Sequence, residues 1–124
     1  MYVLRQSQKT KAPDLPQDGR SPTEPVHITL NHGLFALVDA DLYSTLNQYK
    51  WKAVKSNHCW YAVRRAKKNE KGYYIRMHRQ VAQTPTDMDC HHIDLNSLNN
   101  TRRNLSNLFP ETHRLLHCYH HYTL

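Results

Sequence analysis

Four histidines, His91, His92, His113 and His117, fall within one segment, CHHIDLNSLNNTRRNLSNLFPETHRLLH, residues 90–117. Imidazole changes charge near neutral pH, and its neutral ring nitrogen binds metal ions. Two adjacent histidines, followed by a pair spaced i, i+4, therefore offer two chemistries together. Three imidazoles can complete most of a metal's inner shell. A fourth beside that metal can take a proton from water. A His-x-x-x-His pair alone is commonly a surface feature, and the neighbouring His-His is what sharpens it. Two plainer readings stay open: chance placement on a surface, and a structural zinc site that needs ligands but no free base.

The elements that must hold these side chains follow from the pattern around them. MDCHH (88–92) reads as a strand, and Asp94 to Arg103 has the Asn and Asp content of a structured loop. NLSNLF (104–109) reads as a second strand. Pro110 suits the first turn of a helix, where its missing N–H costs nothing, and the helix PETHRLLHCYH sets His113 and His117 on one face. Upstream, VHITLN (26–31) alternates apolar and polar residues, and FALVDA (35–40) follows a turn at Asn31-His32-Gly33. Asp39 can cap a short helix carrying Leu42, Tyr43 and Leu46 on one side. YKWKAV (49–54), CWYAVRR (59–65) and YYIRM (73–77) read as strands, and MHRQVAQ (77–83) as a short helix ending before Pro85. The strands before residue 80 are expected to form one small antiparallel sheet with one helix. The fold class expected is α+β, in which that sheet precedes a strand–loop–strand–helix unit. Three segments result: a flexible tail over 1–25, a basic sheet module over 26–85, and the histidine-bearing unit over 86–124.

Composition limits what this scaffold can be. Only 39% of the 124 residues are apolar, so the core is modest. No stretch approaches the roughly 20 apolar residues of a membrane span, and the opening residues lack the apolar run of a secretory leader. Cys59, Cys90 and Cys118 are odd in number and form no CxxC pair, which argues against a disulfide framework or a four-cysteine zinc site. The cytoplasm of a bacterial or phage-infected cell is the expected compartment. Of the net charge of +7, the excess lies in residues 47–80, with ten Lys/Arg against Glu70 alone. Trp51, Trp60, Tyr61, Tyr73 and Tyr74 are woven through that block. Such a surface suits a phosphate backbone, the plainer reading being a solvated basic face. Arg64, Arg65, Lys67 and Lys68 are expected to be exposed and to contact phosphates, with Arg79 as a further contact. Trp51, Trp60 and His78 are expected in the core.

The order His91-His92, Asn104, His113, His117 resembles the HNH nuclease motif, the ββα-metal finger. The twelve-residue step from His92 to Asn104 and the nine-residue step to His113 match that family's spacing. His117 is similar to an extra helical histidine of the colicin-type members. The stretches ITLNHGLFALVDADLY, YKW, YAVRR and IRMHRQV resemble the N-terminal module of phage-encoded, homing-type HNH endonucleases. The resemblance implies hydrolysis of double-stranded DNA with one divalent ion (magnesium, manganese, zinc or nickel), leaving a 5′ phosphate. It implies that His92 is the general base, that His91 and His113 are metal ligands, and that His117 is a third ligand or a phosphate contact. It makes Asn104 the residue that ties down the loop so that the base points correctly. One departure is Asn99-Asn100-Thr101, where family members often carry Asp-Asn-Arg; it is read as peripheral to the metal. A catalytically inactive DNA-binding module with a metal-stabilised finger is the competing class, and a free His92 beside His91 argues for the enzyme.

Overall fold

The computed structural model describes residues 24–123, with side chains described as far as Leu116. The expected tail, residues 1–25, thus lies outside the described residues except for Glu24 and Pro25. The chain is mixed α+β, built from small antiparallel sheets and short helices.

Strand β1 (Val26–Thr29) pairs antiparallel with β2 (Phe35–Val38). The turn between them needs left-handed backbone, supplied by His32 (φ 59°) and Gly33 (φ 71°). A 3-10 turn (Ala40–Leu42) leads into the one-turn helix α1 (Tyr43–Leu46). Next come β3 (Lys52–Ser56), β4 (Cys59–Arg65) and β5 (Tyr74–Arg76), a three-stranded antiparallel sheet in that order. Asn57 and His58, both at positive φ, make the two-residue turn between β3 and β4. Helix α2 (Met77–Ala82) follows, then β6 (Asp89–His92), a long loop, β7 (Leu105–Leu108) and helix α3 (Pro110–Thr123). Strands β6 and β7 pair antiparallel.

The core gathers Ile28, Leu30, Val38, Leu46, Trp51 and Met77, with Ala36, Ala53 and Ala62 letting the elements approach closely. Burying each large side chain contributes roughly 2 kcal/mol. The indole N–H of Trp51 donates to the Leu46 carbonyl at 2.7 Å, so the tryptophan enters the core with its polar atom satisfied.

The strands before residue 80 form two sheets, not the single one expected. The reason is that the open edge of β2 is already used. Leu37 N–H donates to the Leu98 carbonyl and the Leu37 carbonyl accepts from Asn100 N–H, both at 2.8 Å, in a parallel bridge to the histidine-bearing loop. The β1–β2 hairpin reaches β3 by a side chain, with Asn31 Oδ1 accepting from Ala53 N–H at 2.7 Å. Asp39 does not cap the following turn as expected. Its carboxylate instead accepts from Arg102 N–H at 2.9 Å, and the Arg102 guanidinium also meets Asp41 at 3.1 Å. The loop before β7 is therefore tied to β2 and the turn after it through Leu98, Asn100 and Arg102.

Candidate active site

The β6–β7 ladder runs regularly from Asp89↔Leu108 to His92↔Leu105. The strand is thus regular as far as His92. Adjacent side chains on a regular strand point to opposite sides. The His91 ring meets that of His113 on α3, with centroids 5.1 Å apart, while the His92 ring meets His78 at 4.7 Å and Tyr61 at 6.5 Å. Both strand histidines are buried, at 4% and 8% exposure.

On the His91 side, His113 Nδ1 and Asp89 Oδ2 are 3.0 Å apart. A carboxylate on one ring nitrogen fixes an imidazole's tautomer and orientation, as commonly seen behind metal-ligating histidines. His91 and His113 thus fit two positions of a metal's inner shell. The side chain of His117 lies outside the described residues, and among the described residues no group of three His, Cys, Asp or Glu side chains is arranged to hold a cation. Asp89 was not legible as a site residue; its only signal was its place two residues before His91 on an alternating strand.

On the His92 side, Nε2 lies 2.8 Å from Oδ1 of Asn100, a residue with no exposed surface. An amide oxygen can only accept, so in this arrangement Nε2 carries the proton and the lone pair falls on Nδ1. Burial pushes the His92 imidazole below its ordinary pKa, against the opposing pull of Asn100 and Asp94, which favours the neutral ring. Asn99-Asn100-Thr101, read as peripheral to the metal, touches the proposed base through Asn100. Asn100 Nδ2 is buried without a hydrogen-bond partner among the described residues. Such an orphan donor costs about 1–3 kcal/mol.

Asn104 closes the loop. Its Nδ2 donates to Asp94 Oδ1 and to the Asn99 carbonyl, both at 2.8 Å, and its Oδ1 accepts from Asp94 N–H at 2.9 Å. Its own carbonyl accepts from Ile93 N–H at 2.8 Å. Burial would raise the Asp94 carboxyl, but hydrogen bonds from Asn96, Asn99 and Asn104 prevail and hold it below the ordinary range. The asparagine-rich composition is thus a set of side chains standing in for backbone partners in a loop with no ladder of its own. Leu95, at φ 64°, pays for the tight path.

The expected basic contacts divide. Arg64 was expected in solvent but is 4% exposed; its guanidinium donates to both Glu70 oxygens at 2.9 and 2.8 Å and to Gln80, and lies 4.0 Å over the Tyr49 ring. Held first by its hydrogen bonds to Arg64, the Glu70 carboxyl falls to about 2. An arginine so engaged is structural. Arg79 is half-buried and donates to the carbonyls of Met88 and Pro85, holding the turn before β6. Arg65, Lys67 and Lys68 are exposed. Trp51 is in the core as expected, Trp60 packs against it half-buried, and His78 is buried beside His92.

Comparison of the chain with family models, with curated proteins and with solved structures returns no match. Among the described residues no helix is long and apolar enough to cross a membrane.

Proposed function

We propose that the protein is a metal-dependent DNA endonuclease of the HNH, ββα-metal type that it resembles. One observation carries the reading: two neighbouring strand histidines serve different partners, His91 a helical imidazole and His92 an amide oxygen. The first pairing suits a cation and the second suits a neutral base.

His91 and His113, with His117 on the same helix, would hold the divalent ion, and Asp89 would orient His113. When bound, that ion would neutralise charge on the scissile phosphate and its leaving oxygen. Because the two rings leave the strand on opposite sides, a phosphate served by both would have to lie at the end of β6. His92 would take the proton of the attacking water at Nδ1. As the water oxygen bonds to phosphorus and the bond to the 3′ oxygen breaks, the proton stays on the imidazole. The Asn100 oxygen then faces an imidazolium, for which it is a better partner than for the neutral ring. Asn104 acts one step removed, holding the loop that carries Asn100.

The competing reading is a DNA-binding module whose finger keeps a structural role, and the 8% exposure of His92 favours it. Supercoiled plasmid incubated with the protein and magnesium, manganese, nickel or zinc separates the two. Nicked or linear product with at least one ion supports the endonuclease; binding without cleavage under all four makes the binding module the answer.

A further inference from the structure

The three-stranded sheet has two faces, and its register sorts the side chains between them. Lys52, Val63 and Arg76 form one row across β3, β4 and β5. Arg65 and Tyr74 form the next row, and Val54 and Tyr61 the row on the other side. The alternate residues point the opposite way, where Ala53 and Ala62 join the core and Arg64 is buried against Glu70.

On the first face Lys52, Arg65 and Arg76 are exposed, and each cation lies over an aromatic ring. Lys52 Nζ is 4.9 Å from the Tyr74 ring, the Arg65 guanidinium 4.6 Å from Tyr73, and that of Arg76 5.2 Å from Tyr61. None of the strand residues on this face is acidic. Rings beneath the cations restrict long side chains to fixed positions, which lowers the entropy lost when they meet a ligand. The face also has a direction. The Tyr61 ring under Arg76 is the same ring that lies 6.5 Å from His92. From Tyr61 to Arg65 is four residues of β4, about 13 Å, which is the rise of about four base pairs.

We propose that this face is the track along which double-stranded DNA lies, with Lys52, Arg65 and Arg76 on its phosphates and the scissile phosphate at His92. The proposal rests on the endonuclease reading and adds the surface. It chooses between two basic regions, because Lys55 and Lys67 belong to a different one. Lys55 lies over Trp60 on the core face, and Lys67 lies over Tyr49, the ring that also covers buried Arg64. Charge alone would count both regions as equal; only the first leads to His92.

The test compares two variants that each lose three exposed positive charges: Lys52→Ala/Arg65→Ala/Arg76→Ala, and Lys55→Ala/Lys67→Ala/Lys68→Ala. Binding of a 30-base-pair duplex is followed by anisotropy across a salt series. At about 0.9 units of salt slope per phosphate contact, the first variant is expected to lose about two to three units. It should also bind at least tenfold more weakly at 0.1 M salt, while the second loses less than about one unit. Lys52→Gln/Arg76→Gln, which keeps more of the side-chain stems, should lose one to two units and covers the case in which the triple variant is unstable. Equal losses in the two triple variants, or a larger loss in the second, overturn the proposal, as does a parent that does not bind duplex. A parent whose binding depends on this face but which cleaves with no ion overturns the endonuclease reading and leaves the surface standing.

Discussion

His91 and His92 are adjacent in the chain and both buried, yet their rings meet different partners. The His91 ring faces α3, where the Asp89 carboxylate stands behind His113. The His92 ring faces inward to Asn100, His78 and Tyr61, with Asn100 in hydrogen-bond contact and the Asp94 carboxylate acting on it only electrostatically. An acidic second layer favours a bound cation, whereas a dry, amide-lined one favours a neutral imidazole. A strand's alternation thus produces two environments within one residue step, without any distortion of the backbone.

The largest effect should come from removing the inward ring. His92→Ala is expected to slow plasmid cleavage about 100-fold or more, the scale of a lost general base, with metal affinity by calorimetry nearly unchanged. His113→Ala should weaken both. Were the two variants to lose metal affinity equally, the division between the sides would be wrong.

Exchanging the supporting residues sharpens the same division at smaller scale. Asp89→Asn should lower metal affinity about tenfold, as loss of an outer carboxylate does elsewhere. Asn100→Leu, similar in volume but unable to accept a hydrogen bond, should lower kcat about tenfold or more, leave KM and metal affinity nearly unchanged, and alter the ¹⁵N tautomer signature of His92. An unchanged His92 spectrum in Asn100→Leu would remove the amide from the mechanism.

The smallest effect concerns stability on the inward side. Burial first, then the neighbouring His92 and Arg76, push His78 down to about 3. The unfolded chain binds a proton at this residue near its ordinary value of about 6.5, so stability is complete above that pH and is lost as pH falls toward 3. His78→Phe keeps an aromatic ring but cannot titrate, and its denaturation midpoint should fall less steeply between pH 6 and 4 than the parent's. Parallel curves for the two proteins would show that His78 is not held neutral in the fold.

Much of the secondary structure was legible from local pattern. CWYAVRR became β4 over the stated residues, the two strands flanking the asparagine-rich loop lie within a residue of their expected bounds, and the last helix starts at Pro110 as expected but runs on to Thr123. Alternation, the turn at Asn31-His32-Gly33 and Pro110 are local signals, and local signals suffice where neighbouring residues decide the geometry. The exposure of Arg64 was not legible. A basic run reads as solvated, and only folding brings Glu70, Gln80 and Tyr49 around one guanidinium so that burying it becomes affordable. The same holds for the split into two sheets, which depends on the edge of β2 meeting a loop some sixty residues downstream.

The sequence by itself determined which elements form and which chemistry they carry: histidines at a strand end and on a helix face, and a basic, aromatic-rich block before them. Spacing alone determined that His91 and His92 point apart once the strand is regular. What each one points at was decided only in three dimensions. Asn100 reaches His92 because its backbone is pinned to Leu37, and Lys52, Arg65 and Arg76 share one sheet face because of strand register, not chain order. The physical reason is that pairing, burial and hydrogen-bond satisfaction are settled between segments distant in the chain, each of which must fill the other's unmet backbone and side-chain groups.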